Sequence, residues 1–220
     1  CQSVKDIEMP RSNKQNEQMR AESREKIIAT ARELFAKRGY NGCNVADIAK
    51  QAEMSKGNIY WYFKSKEDIL GVILTEGFRD LGNMMSDAAE HTGTGREKLD
   101  QIIDGYIRMA GEKGGDEFIA IITTVLGQGG VMRMAELGTD TAQVAAAYHQ
   151  SVSAIIAQGQ AEGTLNPDID PQLLTTFFFS FFNGLMMMYP KEWKHMPIQT
   201  IHDAVLRLLG STQHQKVKSP

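Results

Sequence analysis

Cysteine and proline are both scarce in this sequence of 220 residues. Its two cysteines, Cys1 and Cys43, could form one disulfide bond at most, which excludes a disulfide-rich scaffold and favours a reducing, cytoplasmic environment. No proline occurs between Pro10 and Pro167. Because proline interrupts helices, so long a stretch without it favours long helices. No run alternates apolar and polar residues over the length of a strand, so we predict an all-α fold.

Signatures of secretion, membrane insertion and common catalytic sites are also missing. The first twenty residues are polar and charged, so we expect no signal peptide. The most hydrophobic segment, 172–189, is too short and too interrupted by polar residues to span a membrane. The sequence has no HExxH motif, Gly-rich phosphate loop or nucleophile elbow. Glu192 and His195 have the spacing of one half of a di-iron site, but the second pair is lacking. We therefore predict no catalytic residues, no metal and no cofactor.

The net charge of −3 conceals an asymmetry along the chain. Residues 1–66 carry 13 Lys and Arg against 8 Asp and Glu, a balance of +5. Residues 67–220 carry 11 against 19, a balance of −8. A basic N-terminal part on an acidic body indicates a polyanionic partner for the first part only.

Residues 44–70, NVADIAKQAEMSKGNIYWYFKSKEDIL, carry the most informative pattern. Asn44 can cap a first short helix, Ser55 a second helix over 56–63, and Ser65 a third helix. The first of these has one apolar face, formed by Val45, Ile48, Ala49 and Ala52. Two short helices around a tight turn form a helix-turn-helix, whose second helix enters the major groove of DNA.

The same residues resemble the DNA-binding domain of the TetR family of bacterial transcriptional regulators. The matching pattern is V-x-x-I-A at 45–49, S-K-G-x-I-Y-x-Y-F at 55–63 and K-x-K-E at 64–67. Two positions depart from it, Cys43 where the family often has threonine and Glu53 where the turn usually has glycine. A backbone φ above zero costs a residue other than glycine about 1 kcal/mol, so either the turn at Glu53 is adjusted or this strain is tolerated.

The resemblance implies an N-terminal three-helix DNA-binding domain followed by an α-helical ligand-binding and dimerisation domain. We divide the chain into a flexible arm (1–22), a helix-turn-helix DNA-binding domain (23–67), a ligand-binding and dimerisation domain (68–211) and a flexible tail (212–220). The predicted helices outside the motif span 23–38, 66–90, 96–111, 118–126, 141–162, 172–189 and 198–209. In the arm, Arg11, Lys14 and Arg20 could follow the phosphate backbone or the minor groove, or the arm could simply be solvated.

Chemistry identifies the candidate DNA-binding residues. Lys56 opens the recognition helix, where a cation meets a phosphate or a guanine edge, and Asn58 can pair bidentately with adenine. Gly57 lets the backbone approach DNA closely. Lys66 begins the next helix, whose free amides also attract phosphate. The resemblance places Asn44, Lys56, Gly57, Tyr60, Tyr62 and Lys66 where family members touch DNA. With Asn58 and Trp61, which come from side-chain chemistry, the full predicted set is Asn44, Lys56, Gly57, Asn58, Tyr60, Trp61, Tyr62 and Lys66.

The candidate effector and dimer residues come from the body. Thr176, Ser180 and Gly184 form a stripe of small residues that invites close helix packing. The resemblance implies a dimer interface formed by the last two long helices of each subunit, so we predict for it Thr176, Ser180, Gly184, Ile201, Val205 and Leu208. The resemblance implies a small-molecule pocket in the body. With the Met- and Phe-rich composition of that body, it leads us to expect an apolar effector pocket lined by Met85, Tyr106, Met109, Phe118, Ile122, Phe178 and Phe182.

We expect a homodimeric repressor that binds double-stranded DNA at an inverted-repeat operator and is released by a small, largely apolar effector. An activator or a ligand-independent regulator of the same fold is the first alternative. A helical-bundle enzyme or a ligand carrier with a vestigial helix-turn-helix is the second. The intact pattern of Lys56, Gly57, Tyr60 and Lys66 argues against the second alternative.

Overall fold

The computed structural model describes residues 13–112, 114–127, 141–189 and 196–210. Within these four ranges the chain forms nine helices and no strand, which confirms the predicted all-α fold. The helices are α1 (Asn13–Arg38), α2 (Val45–Gln51), α3 (Lys56–Tyr62), α4 (Lys66–Glu90), α5 (Gly95–Gly111), α6 (Gly115–Gly127), α7 (Thr141–Ala161), α8 (Pro171–Met188) and α9 (Ile198–Leu208). Arg11, Glu192, His195 and the predicted tail at 212–220 lie outside the described residues. None of the described helices has the length and apolar character needed to cross a bilayer.

Helix α1 begins ten residues earlier than the sequence predicted. The prediction of a flexible arm is therefore wrong for residues 13–22, which are helical although 14–22 are exposed. This extension buries no apolar stripe, so periodicity gave no sign of it. Once the buried part of α1 is formed, each added residue gains a hydrogen bond without a new nucleation cost. The side chain of Gln18 also donates to Glu22 one turn later, at 3.0 Å.

The three predicted helix caps of the helix-turn-helix are confirmed. The Asn44 side chain accepts hydrogen bonds from the amides of Ala46 and Asp47, at 2.8 and 3.0 Å. Ser55 Oγ accepts from the amide of Asn58 at 3.1 Å, which caps α3. Ser65 caps α4 in the same way, through the third amide of that helix. Each cap satisfies backbone donors at a helix start, so short polar side chains at 44, 55 and 65 fix where the three helices begin.

The turn between α2 and α3 keeps a left-handed residue. Glu53 has φ 57°, the only positive φ outside glycine among the described residues. The turn closes through hydrogen bonds from the Ala52 amide to Ile48 O and from the Met54 amide to Ala49 O, at 2.8 and 2.9 Å. Of the two alternatives for this position, the structure shows tolerated strain, since the backbone adopts the conformation that glycine would favour.

One continuous hydrophobic core joins the helix-turn-helix to the body. Helix α4 contributes Ile69, Leu70, Phe78 and Met85 to this core, and it packs against α1 as well as against α5, α6 and α7. Helix α6 also packs on α1. Helix α4 is therefore a single unbroken helix that belongs to both halves.

Candidate nucleic-acid interface

The recognition helix α3 separates cleanly into a buried and an exposed side. Ile59 and Phe63, interpreted from the sequence as core, are buried. On the opposite side Tyr60 and Trp61 are 55% and 62% exposed, although large aromatic side chains usually bury most of their surface. Lys56, Gly57 and Asn58 are exposed as well, whereas Tyr62 is half-buried and packs against the core. The exposed side of α3 therefore presents a cation, an amide and two rings to a partner.

A groove of about 490 Å³ runs beside this helix. It lies between the N-terminal ends of α2, α3 and α4, and its lining residues are Asn44, Val45, Ala46, Lys56, Tyr60, Lys64, Ser65, Lys66 and Glu67. Lys56 and Lys64 are exposed in it. Two exposed ammonium groups beside helix N-termini suit a phosphate group. The structure thus brings four predicted DNA-binding residues together in one groove, namely Asn44, Lys56, Tyr60 and Lys66, and it adds Lys64.

Gly57 is not required by the packing of the protein itself. A Cβ at this position would meet only Ser55 Oγ, at 3.7 Å, which is ordinary van der Waals contact. Its φ is also not in the positive range that favours glycine. Because glycine at an exposed helical position destabilises a helix relative to alanine, its presence here agrees with close approach of a partner.

Trp61 is held by a neighbour that the sequence did not indicate. The guanidinium of Arg20, on the N-terminal extension of α1, lies 5.2 Å from the centre of the Trp61 ring. Trp61 also meets Tyr62 edge to face, with ring centres 4.6 Å apart. These contacts restrict the rotamers of an exposed side chain, and they place Arg20 beside the recognition helix instead of in a free arm.

Lys66 differs from the other predicted cations because its ammonium group points back into the protein. Lys66 Nζ donates to the carbonyl oxygens of Tyr40 and Cys43, at 2.9 and 2.8 Å, and lies 3.9 Å from the centre of the Tyr40 ring. The next residue is also tied to Tyr40, whose hydroxyl donates to Glu67 Oε1 at 2.5 Å. This hydrogen bond is the main reason that the pKa of Glu67 is lowered.

The predicted effector residues belong to the hydrophobic core. Met85, Tyr106, Phe118, Phe178 and Phe182 are buried, and Met109 and Ile122 are half-buried against the same core. The Tyr106 ring stacks on Phe182 with centres 4.9 Å apart. Burial raises the pKa of Tyr106, since an ionised phenolate would lose its hydration there.

Sequence reasoning missed other members of this aromatic cluster. Phe78 meets Phe118 edge to face at 5.5 Å and stacks near Tyr148 at 6.2 Å. Phe179 contacts both Tyr148 and His149, with ring centres 5.3 and 4.1 Å away. Burial raises the pKa of Tyr148 to about 12 and lowers that of His149. The apolar spacing of Tyr148 with Val152 and Ile155 on α7 was the available signal for the buried face of that helix.

The predicted dimer residues divide into two groups. Thr176 and Ser180 are exposed, Leu208 is 65% exposed, and a Cβ on Gly184 would meet no atom within 4 Å. Ile201 and Val205, by contrast, are only 8% and 2% exposed because α9 packs this side against its own subunit. These two residues are therefore corrected to core positions. The exposed side of α8 instead adds apolar surface from Leu173, Phe177 and Met188.

Comparison with known proteins agrees with this arrangement. Residues 27–73 match the family model described as bacterial regulatory proteins, tetR family. The fatty acid metabolism regulator protein of Bacillus subtilis (strain 168) is 28% identical over 191 residues, covering 86% of this chain and 95% of that protein. The HTH-type transcriptional repressor DhaR of Mycobacterium sp. (strain GP1) is 27% identical over 201 residues, covering 87% and 94%. The transcriptional regulator FadR from Bacillus subtilis, solved in complex with stearoyl-CoA, superposes with a TM-score of 0.64 at 26% identity, over 84% of this chain and 96% of that one.

The chain has a helix-turn-helix with an exposed recognition helix, and one long helix joins it to an all-helical body. This arrangement defines a class of DNA-binding regulators. The family model and the full-length relatives specify the class further. Residues 27–73 of this chain form a DNA-binding domain of the TetR family of bacterial transcriptional regulators. The protein is a DNA-binding transcription regulator and not an enzyme, as predicted.

Proposed function

We propose that this protein is a homodimeric repressor that binds an inverted-repeat operator and is released by a largely apolar effector. The observation that carries the DNA-binding part is the exposed side of α3 beside the basic groove. Lys56 and Lys64 meet phosphates there, while Asn58, Tyr60 and Trp61 reach base edges, thymine methyl groups or sugars. Gly57 lets the backbone come close. The division into a DNA-binding domain and a body near residue 67 remains a prediction, and the cytoplasm, where the chromosome is, is the proposed site of action.

The exposed apolar side of α8 supports the proposed dimer. Phe177 is 53% and Met188 is 71% exposed on α8, and Leu208 is 65% exposed on α9. Large apolar side chains exposed together are typical of interaction surfaces. Thr176, Ser180 and Gly184 lie beside them, so a second α8 can approach closely. We propose that two copies bury this surface across a two-fold axis, which sets the spacing of the two recognition helices.

A test of the interface uses the open space at Gly184. Since a Cβ there meets nothing within its own subunit, Gly184→Leu should leave the subunit folded and obstruct only the partner. Overpacking of roughly 1–3 kcal/mol for each copy should shift sedimentation towards monomer. Gly111→Leu is the matched control, because that glycine also has free space but lies at the end of α5. A stable Gly184→Leu dimer would show that the interface lies elsewhere.

We propose a long-chain fatty acyl thioester as the first candidate effector. Two observations support this choice. The relatives include a fatty acid metabolism regulator and a regulator solved with stearoyl-CoA. The buried cluster around Tyr106, Phe118, Phe178 and Phe182 consists of flat rings and methionines that can separate around an alkyl chain. The cluster contacts α4 through Phe78, so an inserted chain displaces the helix that supports the helix-turn-helix.

Release then requires that the effector binds the two conformations of the protein differently. A ligand that binds the DNA-bound and free forms with equal affinity does not shift the equilibrium between them. Couplings of about 1–3 kcal/mol are typical and would lower operator affinity about 5- to 150-fold. Glu76 of α4 accepts a hydrogen bond from Arg32 of α1 at 3.2 Å. Movement of α4 would therefore also displace α1, the first helix of the DNA-binding domain.

Selection from random duplex DNA tests the operator. The folded protein should enrich an inverted repeat whose half-site centres lie one helical turn, ~34–36 Å, or a multiple apart. Enrichment of no inverted repeat would refute the proposal of a dimeric operator-binding protein.

Titration calorimetry with stearoyl-CoA tests the effector, with coenzyme A alone as the control for the polar part. Stearoyl-CoA should bind more weakly when the operator is present, by the same factor by which it weakens operator binding. Equal dissociation constants with and without the operator would eliminate induction and favour a ligand-independent regulator.

In vitro transcription separates repression from activation. Transcripts from a promoter that overlaps the selected operator should decrease with added protein and recover when stearoyl-CoA is present. Increased transcription on addition of the protein would instead favour the activator.

A further inference from the structure

The first residue of α4, Lys66, is hydrogen-bonded to the connection between α1 and α2. Lys66 Nζ donates to Tyr40 O and Cys43 O, at 2.9 and 2.8 Å, and it also lies over the Tyr40 ring. An ammonium group has three N–H donors, so two of the three are already used within the protein. The ring face holds the same charge by a cation–π interaction. Lys66 is half-buried as a result.

Tyr40 is itself fixed on several sides. Its ring is buried and meets Phe35 of α1 edge to face at 5.3 Å, and its hydroxyl donates to Glu67. The other acceptor, Cys43, is also buried, and its thiol donates to the Leu34 carbonyl at 3.4 Å. Lys66 and Glu67 therefore bind the α1–α2 connection, which itself packs on α1. Lys66 binds two of its backbone carbonyls, and Glu67 binds the side chain of Tyr40.

The position of this contact gives it a role in placing the DNA-binding helices. Cys43 immediately precedes Asn44, the cap of α2, and α2 packs against α3. A shift of Lys66 therefore moves the carbonyl next to the α2 cap. Lys56 and Lys64 line the same groove with exposed side chains, so they can neutralise phosphates without breaking an internal contact. Lys66 would have to leave two carbonyl oxygens and a ring to do the same.

We infer that Lys66 is a positioning residue, which holds the start of α4 to the α1–α2 connection and so sets where α2 and α3 meet DNA. This assignment rests on the proposed DNA-binding function. It replaces the prediction that Lys66 binds a phosphate itself. The two roles differ in what they do to specificity. Loss of a phosphate contact weakens binding to all sequences about equally, whereas misplacement of the recognition helix weakens binding to the operator alone.

The experiment compares Lys66→Met with Lys64→Met, the same substitution two residues apart. Each variant is titrated with the selected operator and with a scrambled duplex over a range of salt concentrations, well below its melting temperature and with its dimer confirmed. For Lys66→Met, operator affinity should fall about tenfold or more, the size of a lost specific contact, while affinity for the scrambled duplex stays unchanged. For Lys64→Met both affinities should fall together, and the salt slope should become shallower by about 0.9 for each phosphate lost.

Lys66→Arg keeps the positive charge and tests the same inference if Lys66→Met does not fold. A phosphate contact accepts arginine and would keep the wild-type ratio of operator to scrambled affinity. The positioning role predicts a lower ratio, because a planar guanidinium does not fit between the carbonyls and the ring as an ammonium does. Equal loss of operator and scrambled affinity in Lys66→Met, or a wild-type ratio in Lys66→Arg, would overturn the inference. Lack of operator binding by the wild-type protein would instead refute the proposed function.

Discussion

Gly57→Ala should stabilise the protein and weaken its binding to DNA. The new Cβ has free space in the isolated protein, since its nearest neighbour is Ser55 Oγ at 3.7 Å. Alanine is favoured over glycine within a helix by roughly 0.5–1 kcal/mol. In a chain of this size, 1 kcal/mol corresponds to about 2–4 °C in melting temperature. Calorimetry should therefore show a melting temperature raised by a few degrees at most.

Gly57→Ala should lower the affinity of the protein for the operator. If the backbone at Gly57 approaches DNA closely, an added methyl group overpacks the interface by roughly 1–3 kcal/mol in each half-site. Since about 1.4 kcal/mol corresponds to a factor of ten in affinity, one half-site alone should lower the affinity about 5- to 150-fold. Fluorescence anisotropy with the selected operator measures this loss directly.

Gly111→Ala provides the matched control. This glycine ends α5, and a Cβ there would meet no atom within 4 Å. The substitution should therefore leave operator affinity unchanged without destabilising the protein. Gly57→Ala with wild-type operator affinity would refute the close approach of α3 to DNA. A lowered melting temperature in Gly57→Ala would show that glycine is needed for folding instead.

Substitutions at three further positions test the architecture. Glu53→Gly should raise stability by about 1 kcal/mol, because it removes the strain at φ 57°, and Glu53→Ala should not. Gly95→Ala should lower stability by roughly 1–3 kcal/mol in urea, because its Cβ would lie 2.3 Å from the Gly159 backbone nitrogen. Tyr40→Phe should destabilise the protein at pH 7 by about 1 kcal/mol. The lowered pKa of Glu67 contributes stability above its ordinary value of 4.5, which is lost as the pH falls through the lowered value, so this difference should shrink in acid.

Each of these expectations has a contrary outcome. Equal stability of Glu53→Gly and Glu53→Ala would show that the left-handed backbone carries no strain. A fully stable Gly95→Ala would mean that α5 and α7 can separate without loss. A stability difference between Tyr40→Phe and wild type that stays constant down to low pH would show that Glu67 is not involved.

The sequence by itself determined the features that depend on near neighbours in the chain. Helix caps at Asn44, Ser55 and Ser65 are interactions over two or three residues, so their spacing was sufficient to place the starts of α2, α3 and α4. The apolar spacing likewise identified Ile59 and Phe63 as core and left the other side of α3 for a partner. The family resemblance rested on the same local pattern.

Only the tertiary structure decided which way the long side chains and the outer helix faces point. No local sequence pattern links Lys66 to its acceptors, because Tyr40 lies 26 residues earlier and is brought near by the packing of α1 on α4. Val205 has the spacing of either an interface or a core residue, and the packing of α9 against its own subunit made it core. A side chain's partners across the fold depend on how helices cross, and a pattern within one helix gives its apolar face without saying what covers that face.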